Sequence, residues 1–141
     1  MPSYPKPEDI LYYAGKTLTV EWYYTENGRL PALDYYRRMP ENDQERLDHM
    51  VHYLADAEFG TTLPQVMYRI EDRQQRIFAF KPGAQRFFNF MTVGGKIIIT
   101  NAYRKHSQRM TRQDLRILQT AINFRSDYFR RVKEGTYHEK R

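Results

Sequence analysis

Three consecutive β-strands with little between them constrain this chain more than any other feature. The run from Ile77 to Gln108, IFAFKPGAQRFFNFMTVGGKIIITNAYRKHSQ, is rich in aromatic and β-branched residues. It breaks only at Lys81-Pro82-Gly83-Ala84-Gln85 and at Gly94-Gly95. Gly94-Gly95 suits a two-residue hairpin turn, whose central positions can need φ > 0. A turn that tight pairs Val93 with Lys96 and carries the register back to Arg86 opposite Tyr103. A four-residue loop at 82–85 then sets Lys81 opposite Arg86. Side chains alternate between faces, so Ile77, Ala79 and Lys81 are expected on one face with Arg86, Phe88, Phe90, Ile97, Ile99, Asn101 and Tyr103. That face is apolar toward Gly94-Gly95. At its other end Lys81, Arg86 and Tyr103 form a cross-strand row, with Lys105 and His106 just beyond. Composition alone leaves the row open between a functional site and ordinary strand-end charges.

The charge of the chain is divided along its length. Residues 1–72 hold 7 Lys/Arg against 13 Asp/Glu, a net of −6, whereas residues 73–141 hold 16 against 4, a net of +12. The basic half contains the aromatic strand run. A dense positive field beside ring faces is what binding a phosphate backbone and stacking bases requires. The competing reading is a basic surface that confers solubility or meets an acidic protein. The chain has no cysteine, which excludes disulfides, thiolate metal sites and a thiol nucleophile. His49, His52, His106 and His138 show no metal-binding spacing. No apolar run approaches a membrane span and no signal-peptide pattern opens the sequence, so a cytoplasmic protein without membrane contact is expected.

At 141 residues the chain is sized for one domain with a real core. Residues 1–16, with Pro2, Pro5, Pro7 and Gly15, read as an N-terminal arm, in which Glu8 and Asp9 can start one helical turn. The single domain is expected over 17–141. Thr17 to Tyr24 alternates as a strand that Asn27-Gly28 breaks. Pro31 fits the first position of a helix that Pro40 stops. A second helix is expected over 41–59, with Asn42 and Glu45 as a capping box, Gly60 as its stop, and Leu47, Met50, Val51, Leu54 and Ala55 as its inner stripe. A strand follows at Val66 to Ile70. Thr111 and Asp114 cap a last helix from Arg112 to about Lys133. Its inner stripe is Leu115, Leu118, Ala121, Ile122, Phe129 and Val132, widened by Ile117, Phe124 and Tyr128. Arg116, Arg125, Arg130 and Arg131 keep that helix basic. The fold class is α+β: an antiparallel or mixed sheet of about 4–5 strands with an N-terminal α-hairpin and a C-terminal helix packed on one side, the other side free to bind.

In this order the elements resemble the RelE/ParE toxin superfamily of type II toxin–antitoxin systems, most closely its phage-Gp49-like, HigB-type branch. The likeness covers roughly residues 17–133. It rests on the opening strand, a short helix after Gly28-Arg29-Leu30-Pro31, and a second helix ending at Gly60. It rests further on Phe78-Ala79-Phe80-Lys81 followed by Arg86-Phe87-Phe88, and on Tyr103-Arg104-Lys105-His106-Ser107-Gln108 with Thr111 before the last helix.

The resemblance implies a cytoplasmic toxin that cuts mRNA in the ribosomal A site, needs no metal or other cofactor, and is held inactive by a cognate helix-turn-helix antitoxin. The free toxin is expected to be monomeric. Attack of an RNA 2′-OH on the adjacent phosphate needs a proton acceptor, positive charge on the phosphorane, and a proton donor for the leaving 5′-oxygen. Arg86 matches the family's phosphate-binding arginine. Lys81 stands where the family usually has arginine, and Lys105-His106 where it often has two lysines; His106 is a candidate base. Together with Tyr103 these are the candidate catalytic residues. Arg69, Arg73, Arg76, Arg104 and Arg109 are candidate RNA contacts. Tyr137 and His138 join them, from the region where the family places a functional tyrosine or histidine. Two other functions stay open: a ParE-like inhibitor of DNA gyrase, which needs no catalytic row, and a phage-derived RNA-binding protein without activity.

Overall fold

The strand run folds as an antiparallel meander at the heart of a larger sheet. The computed structural model describes residues 5–138. Its elements are α1 (Pro7–Ile10), β1 (Leu11–Ala14), β2 (Thr19–Trp22), α2 (Pro31–Arg38), α3 (Glu41–Asp56), β3 (Tyr68–Asp72), β4 (Ile77–Phe80), β5 (Gln85–Met91), β6 (Lys96–Arg104) and α4 (Arg112–Glu134). The six strands lie in the order β1-β2-β6-β5-β4-β3, all neighbours antiparallel except β2 and β6, which are parallel. The α+β class with a mixed sheet is as expected. The sheet has more strands than the expected 4–5 because the N-terminal segment contributes one. Residues 11–14, read as part of an arm, pair with β2 as an edge strand.

The expectation of one free sheet face fails. Leu18, Val20, Trp22, Phe80, Phe87, Ile97 and Ile99 pack one face against α2 and α3 through Leu33, Leu47, Val51 and Leu54. Ile77, Ala79, Phe88, Phe90, Ile98 and Tyr103 pack the other against α4 through Leu118, Ala121 and Tyr128. Burial of Ile97, Ile98 and Ile99 on both faces explains a continuous apolar run where a half-exposed strand would alternate. On α4, Leu115 is 52% and Phe129 37% exposed, while Asp114 and Arg131 are buried. The inward stripe therefore runs through polar positions that hydrophobicity cannot flag.

The β5–β6 hairpin departs from the expected turn. Thr92 N–H donates to Lys96 O at 2.8 Å and Gly95 N–H to Thr92 O at 3.2 Å, so Val93, Gly94 and Gly95 form a three-residue loop. Only the last of these needs the left-handed region, with Gly95 at φ 83°. The longer loop shifts the register by one, pairing Phe90 with Ile98 and Met91 with Ile97. A bulge at Thr100 then takes up the extra residue, so Phe88 pairs with Asn101 and Arg86 with Tyr103. Ile97 and Ile99 consequently lie on the α2/α3 face, opposite to the face of Phe88, Phe90 and Tyr103.

Three smaller expectations also change. α3 stops at Asp56, before Gly60. Its last carbonyls and carboxylate are taken by the β1–β2 connection: Ala55 O accepts from Thr17 and Leu18 N–H, and Asp56 accepts from Tyr13 and Lys16. Gly15 packs so closely there that a Cβ would stand 2.5 Å from Ala55 Cβ. At its start the N-cap is Pro40, without a side-chain cap, so Asn42 and Glu45 form no box. Pro64 O accepts from Met67 and Tyr68 N–H, which makes 64–67 a turn and starts β3 two residues late, at Tyr68. The Thr111–Asp114 capping box and the left-handed Gly135 bound α4 as expected.

Candidate functional site

Where β4, β5 and β6 end together, several cations converge. Ala79 pairs with Phe88 and Phe80 with Phe87, a register that continues to Lys81 opposite Arg86 across the 82–85 loop. Arg86 in turn opposes Tyr103. Arg69, paired with Ala79 on the neighbouring edge strand, completes the set. Burial lowers the pKa of Lys81, and Arg86, Arg69 and Lys105 lower it further by repulsion. Arg86 is itself lowered, chiefly by burial. One Arg86 guanidinium nitrogen donates to Gly83 O (2.9 Å) and Gln85 O (2.8 Å), which fixes the fork at the hairpin mouth. Behind it, buried Gln85 accepts from Tyr35 Oη and donates to Asp43 Oδ2 at 3.1 Å. Lys81 Nζ donates to Gln65 O at 3.3 Å. Tyr103 is buried beside Phe88, and its pKa is pushed up to about 12, mainly by burial and then by Asp114 and Glu71, with Arg86 opposing.

Glu71 was not visible as a site residue in the sequence. It lies at a bulge in β3, two residues after Arg69, and interacts electrostatically with Lys81, Arg86 and Tyr103 alike. Its Oε2 is 3.2 Å from Arg69 Nε. That oxygen is shielded from solvent and accepts no well-aligned hydrogen bond. Glu71 is thus paired with Arg69 by charge without an aligned hydrogen bond, a carboxylate set within the cation cluster. The expected strand ended at Ile70; extending its alternation past Arg69 would have placed Glu71 on the same face.

The remaining candidates divide. Lys105 points toward the row but is committed: its Nζ bonds Asp114 Oδ2 at 3.0 Å and Arg109 O at 2.8 Å, clamping the loop before α4. Burial works to raise the Asp114 pKa, but the bonds from Lys105 and Thr111 outweigh it and hold that carboxyl low. His106 is exposed and lines, with Tyr35, Tyr103, Arg104 and Gln113, a cleft of about 380 Å³ on the other side of Tyr103. Arg104 and Arg109 are exposed nearby. Arg73 and Arg76 sit at the far end of β3 and β4, away from the row. Tyr137 is not a surface contact: it is buried against Tyr24, Tyr128 and Arg131, and its hydroxyl accepts from Tyr24 N–H at 3.2 Å. His138 donates its N–H to Tyr24 Oη in the same place. Neither joins the row.

Among the described residues, no group of three or more His, Asp or Glu is placed to hold a metal ion, and no helix is long and apolar enough to cross a membrane. The chain matches no protein-family model and no curated protein at a significant level.

Proposed function

We propose that this protein is a ribosome-dependent mRNA endoribonuclease, the toxin of a type II toxin–antitoxin system of the RelE/ParE, HigB-like kind. The observation that carries the reading is the convergence of Lys81, Arg86 and Tyr103 around one carboxylate, Glu71, whose shielded Oε2 is ion-paired to Arg69 but accepts no aligned hydrogen bond. In this scheme Glu71 takes the proton of an RNA 2′-OH. The 2′-oxygen bonds to phosphorus, Arg86 and Lys81 stabilise the phosphorane charge, and neutral Tyr103 gives its proton to the departing 5′-oxygen. The products are a 2′,3′-cyclic phosphate and a 5′-hydroxyl. A free toxin of net charge +6 suits the ribosome's RNA and an acidic segment of a cognate antitoxin.

The test is induced expression with primer-extension mapping of mRNA ends, comparing the parental chain with Arg86→Ala. New ends and growth arrest are expected for the parent, with cleavage about 10²–10³-fold slower in the variant. Growth arrest without new ends would transfer the reading to gyrase inhibition. An Arg86→Ala variant cleaving at the parental rate would remove this site from the chemistry.

A further inference from the structure

A groove of about 640 Å³ runs along β3 on the α3 side of the sheet, between that strand and the 57–65 segment. Its rim carries Arg69, Arg73 and Arg76 with one acid, Glu58, and Glu71 is ion-paired to Arg69 beside it. Its walls carry aromatic rings, of which Phe59 is the open one among the described residues. Phe59 is 89% exposed, and Phe78 is stacked on Tyr68 at 5.2 Å with the Arg76 guanidinium over it at 5.8 Å. The groove is continuous with the cation row at one end. Arg69 belongs to both, and Gln65, which lines the groove, is the residue whose carbonyl holds Lys81. At the other end Arg73 and Arg76 flank the β3–β4 turn, so the track spans the five residues of β3, roughly 17 Å.

We propose that this groove binds the single-stranded RNA that flanks the phosphate held at Arg86, its backbone on the three arginines and a base on Phe59. The proposal rests on the RNA reading of the Lys81–Arg86 row, but it concerns binding and not cleavage. A strand whose phosphate lies at Arg86 must leave over an adjoining surface. This one joins positive charge to an exposed ring, the combination by which single strands are held without base-specific contacts. Arg76 over Phe78 already stands where a guanidinium can bridge a ring and a phosphate. An acidic peptide would find the same charge but would gain nothing from the stacking surfaces.

The experiment measures binding of a uniformly 2′-O-methylated oligoribonucleotide, which cannot be cut because its nucleophile is blocked, by fluorescence anisotropy over a range of salt. In the full chain, the Arg73→Ala/Arg76→Ala double variant is expected to bind about 10-fold or more weakly. The slope of log affinity against log salt should fall by about 1.4, two phosphate contacts at 0.7 each. Phe59→Ala should weaken binding about 10-fold with the slope unchanged, as lost stacking and not lost charge. All three side chains are exposed, so thermal melting should not move. A 5-iodouridine in the probe should crosslink to Phe59 or Phe78. Parental affinity and slope in the double variant, or crosslinks solely outside the groove, would overturn the proposal. So would retained RNA binding alongside lost binding of polyglutamate, which would make the groove a peptide site. A parental chain that cuts no RNA on ribosomes but shows these binding losses would refute the nuclease reading and leave the groove standing.

Discussion

Arg86 and Tyr103 oppose one another on β5 and β6, and the guanidinium works against the burial that drives the phenol pKa upward. With that pKa still at about 12, Tyr103 is neutral over the whole physiological range and keeps a proton to give. The pair thus sets fixed positive charge beside a proton donor. Tyr103→Phe should keep the ring's packing on Phe88 and the fold, while single-turnover cleavage on programmed ribosomes falls about 10²–10⁴-fold. The parental pH–rate profile should show no loss from Tyr103 ionisation until pH approaches 12. A Phe variant that cleaves normally would mean the leaving oxygen takes its proton elsewhere.

Glu71 is the acid that this scheme cannot lose. Glu71→Gln keeps the shape and removes the base, so cleavage should drop about 10²–10⁴-fold. Melting should fall modestly, because the ion pair with Arg69 and the counter-charge to Lys81 and Arg86 are lost. RNA binding at equilibrium should strengthen slightly, since a negative charge leaves the cation row. Weaker binding in Glu71→Gln would make the residue an organiser of Arg69 instead.

Lys81 should trade stability for function. A lysine whose pKa is lower in the fold than in the unfolded chain costs stability while protonated, and the cost fades as pH rises from the folded value to the unfolded one. Burial, then Arg86, Arg69 and Lys105, lower Lys81 in the fold. Lys81→Met should therefore melt higher than the parent at neutral pH. The difference should close as pH nears the ordinary lysine value of about 10.4. Parental cleavage should fall on the alkaline side at a lower pH than in Lys81→Arg, whose charge persists. A lower melting temperature for Lys81→Met at neutral pH would contradict the mechanism.

Much of this arrangement was legible from local pattern. The aromatic strands, the Pro31 start, the Thr111 cap and the Gly135 stop follow from residues acting on their own neighbours, and the structure keeps them. The Arg86–Tyr103 pairing was read correctly through an incorrect turn, since the longer hairpin loop and the Thr100 bulge cancel. What the sequence hid depends on distant partners. Leu11 to Ala14 looks like an arm until β2 pairs with it, and α3 ends early because Thr17, Leu18 and Tyr13 claim its C-terminus. The second covered face was hidden for the same reason. α4 reaches the sheet through Asp114 and Arg131 as well as its apolar stripe, and only their partners make burial tolerable.

Arg131 is where that burial is most costly to disturb. It is 2% exposed, with its guanidinium 4.7 Å from the ring centres of both Tyr24 and Tyr137. One of its nitrogens donates to Tyr24 O and to Asp127 Oδ2, each at 2.8 Å. Asp127 also accepts from Tyr23 Oη and Arg130. Burial works to raise the Asp127 pKa, yet the bonds from Tyr23, Arg131 and Arg130 outweigh it and hold the carboxyl low. Removing the guanidinium takes one of the three partners of Asp127, leaves the Tyr24 carbonyl without this donor and opens a gap between two rings. Arg131→Ala should thus cost roughly 2–4 kcal/mol in chemical denaturation, from the lost hydrogen bonds of a charged group and the lost contact with two ring faces. Because the Asp127 pKa is depressed in the fold, its contribution is present above the ordinary carboxylate range and is lost as pH falls through the depressed value. The parent's advantage over Arg131→Ala should accordingly shrink in acid. Cleavage per folded molecule should stay near parental, since none of these groups touches the Lys81–Arg86 row. A variant that denatures like the parent would show that the stacked rings, and not the buried charge, hold this end of α4.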